Sequence, residues 1–227
     1  GWEVSGDIQQ SEHSKLAAEW FDNKLSQTIE TIDEHFSQFR LSDALMTLYK
    51  FFWDDFCAWY LEVIKPEYGK PIDKVTYDTT IVFFEKLLRL LHPIMPFITE
   101  ELWQNIEERK DGETIMLQPQ PKAAPYSVET IHAFEQGVGA IASVRNIRQS
   151  KGLSPKEALT LQIKGAFPEK IVSVVKRMAN LSEVSLVSEI DNSVNGAAFM
   201  VDTIEFFVPL TGMVNAEEEI AKMEAEI

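Results

Sequence analysis

The run from Asp43 to Pro66, DALMTLYKFFWDDFCAWYLEVIKP, constrains this chain more than any other. It has no interior proline or glycine and ends at Pro66, which bars a helix from continuing through the residue before it. At about 100° per residue, Leu45, Leu48, Tyr49, Phe52, Trp53, Phe56, Cys57, Trp59, Tyr60, Val63 and Ile64 cover about half of a helical wheel. Asp43, Thr47, Lys50, Asp54, Asp55, Glu62 and Lys65 fill the other half. An apolar face that wide must be buried against two or more neighbours. Phe51 falls in the middle of the polar half, where an exposed ring could stack on an unpaired base. Packing on a neighbouring helix or on a missing domain is the plainer account of that ring.

The neighbours are legible too. Leu16, Trp20, Leu25, Ile29, Ile32, Phe36 and Phe39 recur at three- to five-residue spacing, which predicts a helix from Ser11 to about Phe39. Ser42 or Asp43 can cap the aromatic helix. A third helix is expected over Thr76–Leu91. Pro93 and Pro96 interrupt the pattern, and a fourth helix starts at Thr99 or the turn before it and runs to about Glu108. Four helices with short joints predict an antiparallel bundle over residues 1–112. The proline-bearing stretch 113–126 reads as a linker. Residues 127–214 then predict a small α+β unit. It holds a helix over Ser127–Ser150 with Gly152 as its C-cap, a helical run Pro168–Ala179, and strands in ALTLQIKG, EVSLVSE, AAFMVDT and IEFFVPL. Ala216, Ile220, Met223 and Ile227 are spaced like an a/d seam, which predicts the start of a truncated coiled coil over 215–227.

Charge is segregated along the chain. The 227 residues carry a net charge of −15, yet 145–177 hold eight basic and two acidic residues, a local +6. An acidic whole argues against indiscriminate nucleic-acid binding, and a basic segment within it favours a particular anionic partner. Arg145 shares a stripe with Val138, Ile141 and Ala142, so internal pairing is its expected role. Arg148 and Lys151 are expected to face outward, with Lys156, Lys164, Lys170, Lys176 and Arg177 continuing the run. Arg40, Lys65 and Lys70 lie at helix junctions that an RNA loop could approach.

Catalytic chemistry is hard to place. The four histidines are scattered with no second ligand at metal spacing, and the single cysteine, Cys57, sits on an apolar face. GVGAIA, from Gly137, faintly echoes a dinucleotide loop but does not follow a strand. No apolar run approaches the ~18 residues of a membrane span. The opening residues do not read as a signal peptide, so cytoplasm is the default location.

DDFCAWYLEVIKP, from Asp54 to Pro66, resembles the anticodon-binding helix of the valyl-tRNA synthetases. LLHPIMPFITEELW, from Leu90 to Trp103, is similar to a motif shared by the valyl, isoleucyl and leucyl enzymes of class I. VRNIR, from Val144, and the terminal GMVNAEEEIAKMEAEI again look like the valyl branch. The resemblance covers essentially the whole chain. It implies a bundle that recognises the valine anticodon, an α+β junction, and the beginning of a coiled-coil arm that grips the outer corner of the tRNA. The family's His-x-Gly-His and Lys-Met-Ser-Lys-Ser motifs are missing, as is its editing domain. The chain is therefore expected to be a non-catalytic C-terminal part with no cofactor of its own. Its parent would use ATP with magnesium to join valine to tRNA(Val), and the remaining parts of that monomeric parent would be its partners. Arg40, Lys50, Phe51, Lys65, Lys70, Arg145, Arg148 and Lys151 are the candidate RNA contacts. The equivalent domain of an isoleucyl or leucyl enzyme, and a helical protein-interaction scaffold, stay open as alternatives.

Overall fold

The computed structural model describes residues 2–190 and 194–210. The coiled-coil expectation for 215–227 lies outside them. The chain divides into two compact units, Gly1–Ile131 and His132–Ile227.

The first unit is a helical bundle. α1 (Glu12–Ser37) is capped by Ser11, whose side chain accepts from the Ser14 N–H. α2 (Leu41–Lys50) continues without a break into a π-helical segment, Phe51–Tyr60, and then α3 (Leu61–Ile64). α4 (Lys74–Leu91) is capped by Asp73, and α5 (Pro96–Ile106) starts with proline in its first turn, where a missing N–H costs nothing. The short strands β1 (Val4–Ser5) and β2 (Ile72–Asp73) pair in parallel and tie the chain start to the loop before α4. Neither Ser42 nor Asp43 caps α2. The cap position is Arg40, reached through a left-handed Phe39 (φ 58°), and no side chain closes it.

The aromatic helix departs from the uniform wheel. The buried seam of α2 is Ala44 and Leu48, and Phe51 follows at helical spacing. A regular α-helix would extend that seam to Asp55, Ala58 and Glu62. The π-helical i→i+5 bonding puts more residues in each turn, so the buried positions after Phe51 become Phe56 and Tyr60. Phe51 is consequently core, 2% exposed and stacked on Phe21 at 4.9 Å. Phe21 is fully buried, its ring 4.9–6.0 Å from those of Trp20, Phe51, Phe56, Tyr60 and Phe83. Leu45, Tyr49 and Trp53 are exposed, although the wheel put them inside. Phe56 is buried and Trp59 half-buried.

Toward the other end of α1, Ile32 packs with Ala44, Leu48 and Leu91. Leu88, Trp103 and Ile115 form a further cluster. Arg109 stacks on Trp103 at 3.9 Å and pairs with Glu85, joining α5 to α4. Burial would raise the Glu100 carboxyl, but hydrogen bonds from Thr114, Gln104 and the Ile115 N–H, with His92 nearby, hold it below its ordinary value. The stretch expected as a linker is strapped to the bundle: the Ala124 N–H donates to Ser26, the Ser127 N–H to Asn23, and the Tyr126 hydroxyl to Glu30.

The second unit is built on a four-stranded sheet of order β4-β3-β6-β5: β3 (Leu159–Lys164), β4 (Leu181–Leu186), β5 (Gly196–Val201) and β6 (Ile204–Pro209). The sequence predicts three or four strands here, and the described residues hold four, β4 starting two residues before the expected run. β3 and β4 run parallel, joined through a 3-10 turn and α7 (Val172–Met178). β6 pairs antiparallel with both β3 and β5. Leu159, Leu161 and Ile163 alternate inward with period two and are completely buried. α6 (Val128–Ser150) contains GVGAIA, whose glycines serve packing. A Cβ on Gly137 would stand 2.5 Å from Ile171, and one on Gly139 would stand 2.9 Å from Val201.

Candidate nucleic-acid interface

α3 ends because Lys65 is forced to extended backbone (ψ 124°) before Pro66. The chain then turns sharply. The Lys70 N–H donates to the Glu67 carbonyl at 2.9 Å, and Gly69 takes φ 76°, the left-handed position a β-side chain would resist. Tyr68 is thereby lifted to the turn's crest and is fully exposed. On the other side, the Ile72 N–H donates to the Glu3 carbonyl at 2.8 Å, which fixes the chain start and its half-exposed Trp2 beside the turn.

Together these segments enclose a cleft of about 450 Å³ lined by Trp2, Glu3, Lys65, Glu67, Tyr68 and Lys70. Lys65 pairs with Glu62 at 3.1 Å and Lys70 with Glu67 at 2.5 Å. Exposed pairs of this kind contribute roughly 0–1 kcal/mol, so exchanging the carboxylate for a phosphate meets little resistance. Aromatic faces for bases, ammonium groups for phosphates and carboxylates able to accept from base amino groups thus meet in one place.

The structure brings Lys65 and Lys70 together, as neighbours in that cleft. Arg40 and Lys50 are exposed but do not line it. Arg40 belongs to the opposite end of the bundle, since α2 runs antiparallel to α1. Phe51 offers no ring to a ligand because it is core. Trp2 and Tyr68 were missed by sequence reasoning. PEYGKP did carry a signal, a tyrosine between turn-forming residues and two lysines, but nothing local joins it to Trp2.

In the second unit Arg148 reverses its expected role. It is 6% exposed and donates to four carbonyls: Ser154 at 3.1 Å, Glu157 at 2.6 Å, Ala179 at 3.0 Å and Asn180 at 2.9 Å. Burial pushes its guanidinium pKa down, and the Glu157 carboxylate opposes that. Arg145 is exposed and donates to the Met178 carbonyl at 3.1 Å, and Lys151 is half-buried. Among the described residues there is no group of three His, Cys, Asp or Glu able to hold a metal ion, and no helix long and apolar enough to cross a membrane.

The chain belongs to the anticodon-binding domains of tRNA ligases, a family that matches residues 18–163. Its relatives narrow this further. Over its whole length it is 47% identical to a valine–tRNA ligase of Parabacteroides distasonis and 46% identical to one of Phocaeicola vulgatus. It is 38% identical to that of Christiangramia forsetii. In each case the chain spans 26% of the relative's length.

Proposed function

We propose that this chain is the C-terminal, tRNA-binding part of a valine–tRNA ligase and that the cleft between Trp2 and Tyr68 receives unpaired bases of the anticodon loop. The convergence of two exposed aromatics and two lysines on one turn carries the reading. Sequence-specific RNA binding works on splayed loop bases, which stack on aromatic faces and are read at their edges. Lys65 and Lys70 neutralise adjacent phosphates, while Glu3 and Glu67 offer acceptors to exocyclic amines. The complete monomeric enzyme, working in the cytoplasm, would activate valine with ATP and magnesium and esterify it to tRNA(Val). The residues described here supply recognition rather than bond-making.

The test is a titration of the full chain with the anticodon hairpin of a valine tRNA and with an anticodon-substituted copy. Each stacked base is worth roughly 1–3 kcal/mol, so Trp2→Ala and Tyr68→Ala should each weaken binding about 5- to 150-fold. Each should also narrow the gap between the two hairpins. Wild-type affinity and discrimination in both variants would remove the cleft from the reading.

A further inference from the structure

We propose that the α+β unit carries a second RNA site, a phosphate-binding node where the C-terminal ends of α6 and α7 meet the turn 154–157, and that its ligand is the sugar–phosphate backbone of RNA. This rests on the reading that the chain binds RNA, and it assigns a separate surface with a different chemistry from the aromatic cleft.

The node is built around a hidden cation. Arg148, from the last turn of α6, holds the carbonyls of Ser154 and Glu157 on one side and those of Ala179 and Asn180 on the other. The Asn180 side-chain amide donates to the Pro155 carbonyl at 2.9 Å and closes the arrangement. The end of α6, the nearby turn 154–157 and the distant segment after α7 are thereby fixed against one another. Each carries outer cations: Arg145 and Lys151 flank Arg148, Lys156 lies within the turn, and Lys176 and Arg177 close α7. Six of the eight cations of the basic segment thus lie on or beside these three segments, while Lys164 pairs with Glu205 at the end of β3 and Lys170 precedes α7.

Cations at helix C-termini commonly just offset the helix dipole. At α7 that role is already filled. The carbonyls that follow the helix, of Met178, Ala179 and Asn180, are occupied by Arg145 and Arg148. Lys176 is not needed there, and Lys156 lies on no helix. Both are exposed. A set of ammonium and guanidinium groups on a rigid frame suits phosphates and carries no sequence preference. Arg148 is a positioning residue: it orders the frame and touches no ligand.

The experiment compares wild-type chain with the surface variant Lys156→Glu/Lys176→Glu, binding a full valine-tRNA transcript across a range of salt concentrations. Each lost lysine–phosphate contact should flatten the slope of log K against log salt by about one. The double variant should lose at least tenfold in affinity at low salt and about two units of slope. Its preference for the valine anticodon over a substituted one should stay unchanged, which separates it from Tyr68→Ala. If wild type binds the transcript while the double variant keeps its affinity and slope, the node is refuted and the anticodon cleft stands. If wild type binds neither transcript nor hairpin, both fall.

Discussion

Phe21 and Arg148 occupy comparable places in the two units. Each is the residue on which several elements converge, and their chemistry is opposite. Around Phe21 five rings from α1, the π-helical segment and α4 crowd together, with non-directional contacts shared among many partners. Around Arg148 one guanidinium answers four carbonyls, with each bond fixed in direction. Apolar cohesion is distributed, so its geometry can absorb a π-helical adjustment. Polar cohesion is concentrated, so it fixes geometry closely and has no substitute when lost.

That contrast can be broken by experiment. The largest effect is expected from Phe21→Ala, which should cost roughly 3–5 kcal/mol in denaturant unfolding, as large-to-small changes in aromatic cores do. Hydrogen exchange should show lost protection in the π-helical segment and α4. Unchanged protection there would deny Phe21 its central place. Arg148→Met should cost about 3 kcal/mol, because it removes four hydrogen bonds from a charged donor in a largely buried setting, even though the side chain's volume is largely kept. Arg148→Lys should recover only a minor share, since one ammonium cannot span both pairs of carbonyls. Full recovery by lysine would mean that charge alone matters and would dissolve the contrast.

A smaller effect separates the units by pH. Burial pushes the Tyr60 hydroxyl up to about 12, helped by Asp73, while its hydrogen bond to Thr80 at 2.9 Å works the other way. The unfolded chain releases this proton near pH 10 and the folded chain retains it to about 12. The unfolded state therefore binds fewer protons in that window, and stability falls as pH rises. The slope is about 1.4 kcal/mol per pH unit. Below pH 10 the contribution is constant. Urea unfolding between pH 9 and 11.5 should show this extra slope in the wild type and lose it in Tyr60→Phe. Identical slopes would place the hydroxyl in a wetter setting than its complete burial implies.

Much of the fold was legible because it is written in local pattern. Ser11 before an amphipathic run, Pro66 after one, Gly152 beyond Ser150 and the alternation of Leu159, Leu161 and Ile163 each depend on residues a few positions apart. The candidate site was legible only in part. Lys65 and Lys70 stood out because a helix junction is visible in sequence, whereas Trp2 reaches them through the β1–β2 pairing, a long-range contact. Phe51 was misplaced because a wheel assumes one angle per residue, and the π-helical hydrogen bonding changes that angle midway.

By itself the sequence determined the helices, the strands and the segregation of charge, since propensity, periodicity and capping act within a few residues. Tertiary structure alone decided which face of the aromatic helix turned inward, which of two neighbouring arginines was buried, and which aromatics met the lysines. Those choices depend on which partner atoms arrive from elsewhere in the chain. A ring or a guanidinium is stable inside only when its neighbours can surround it or accept its hydrogen bonds.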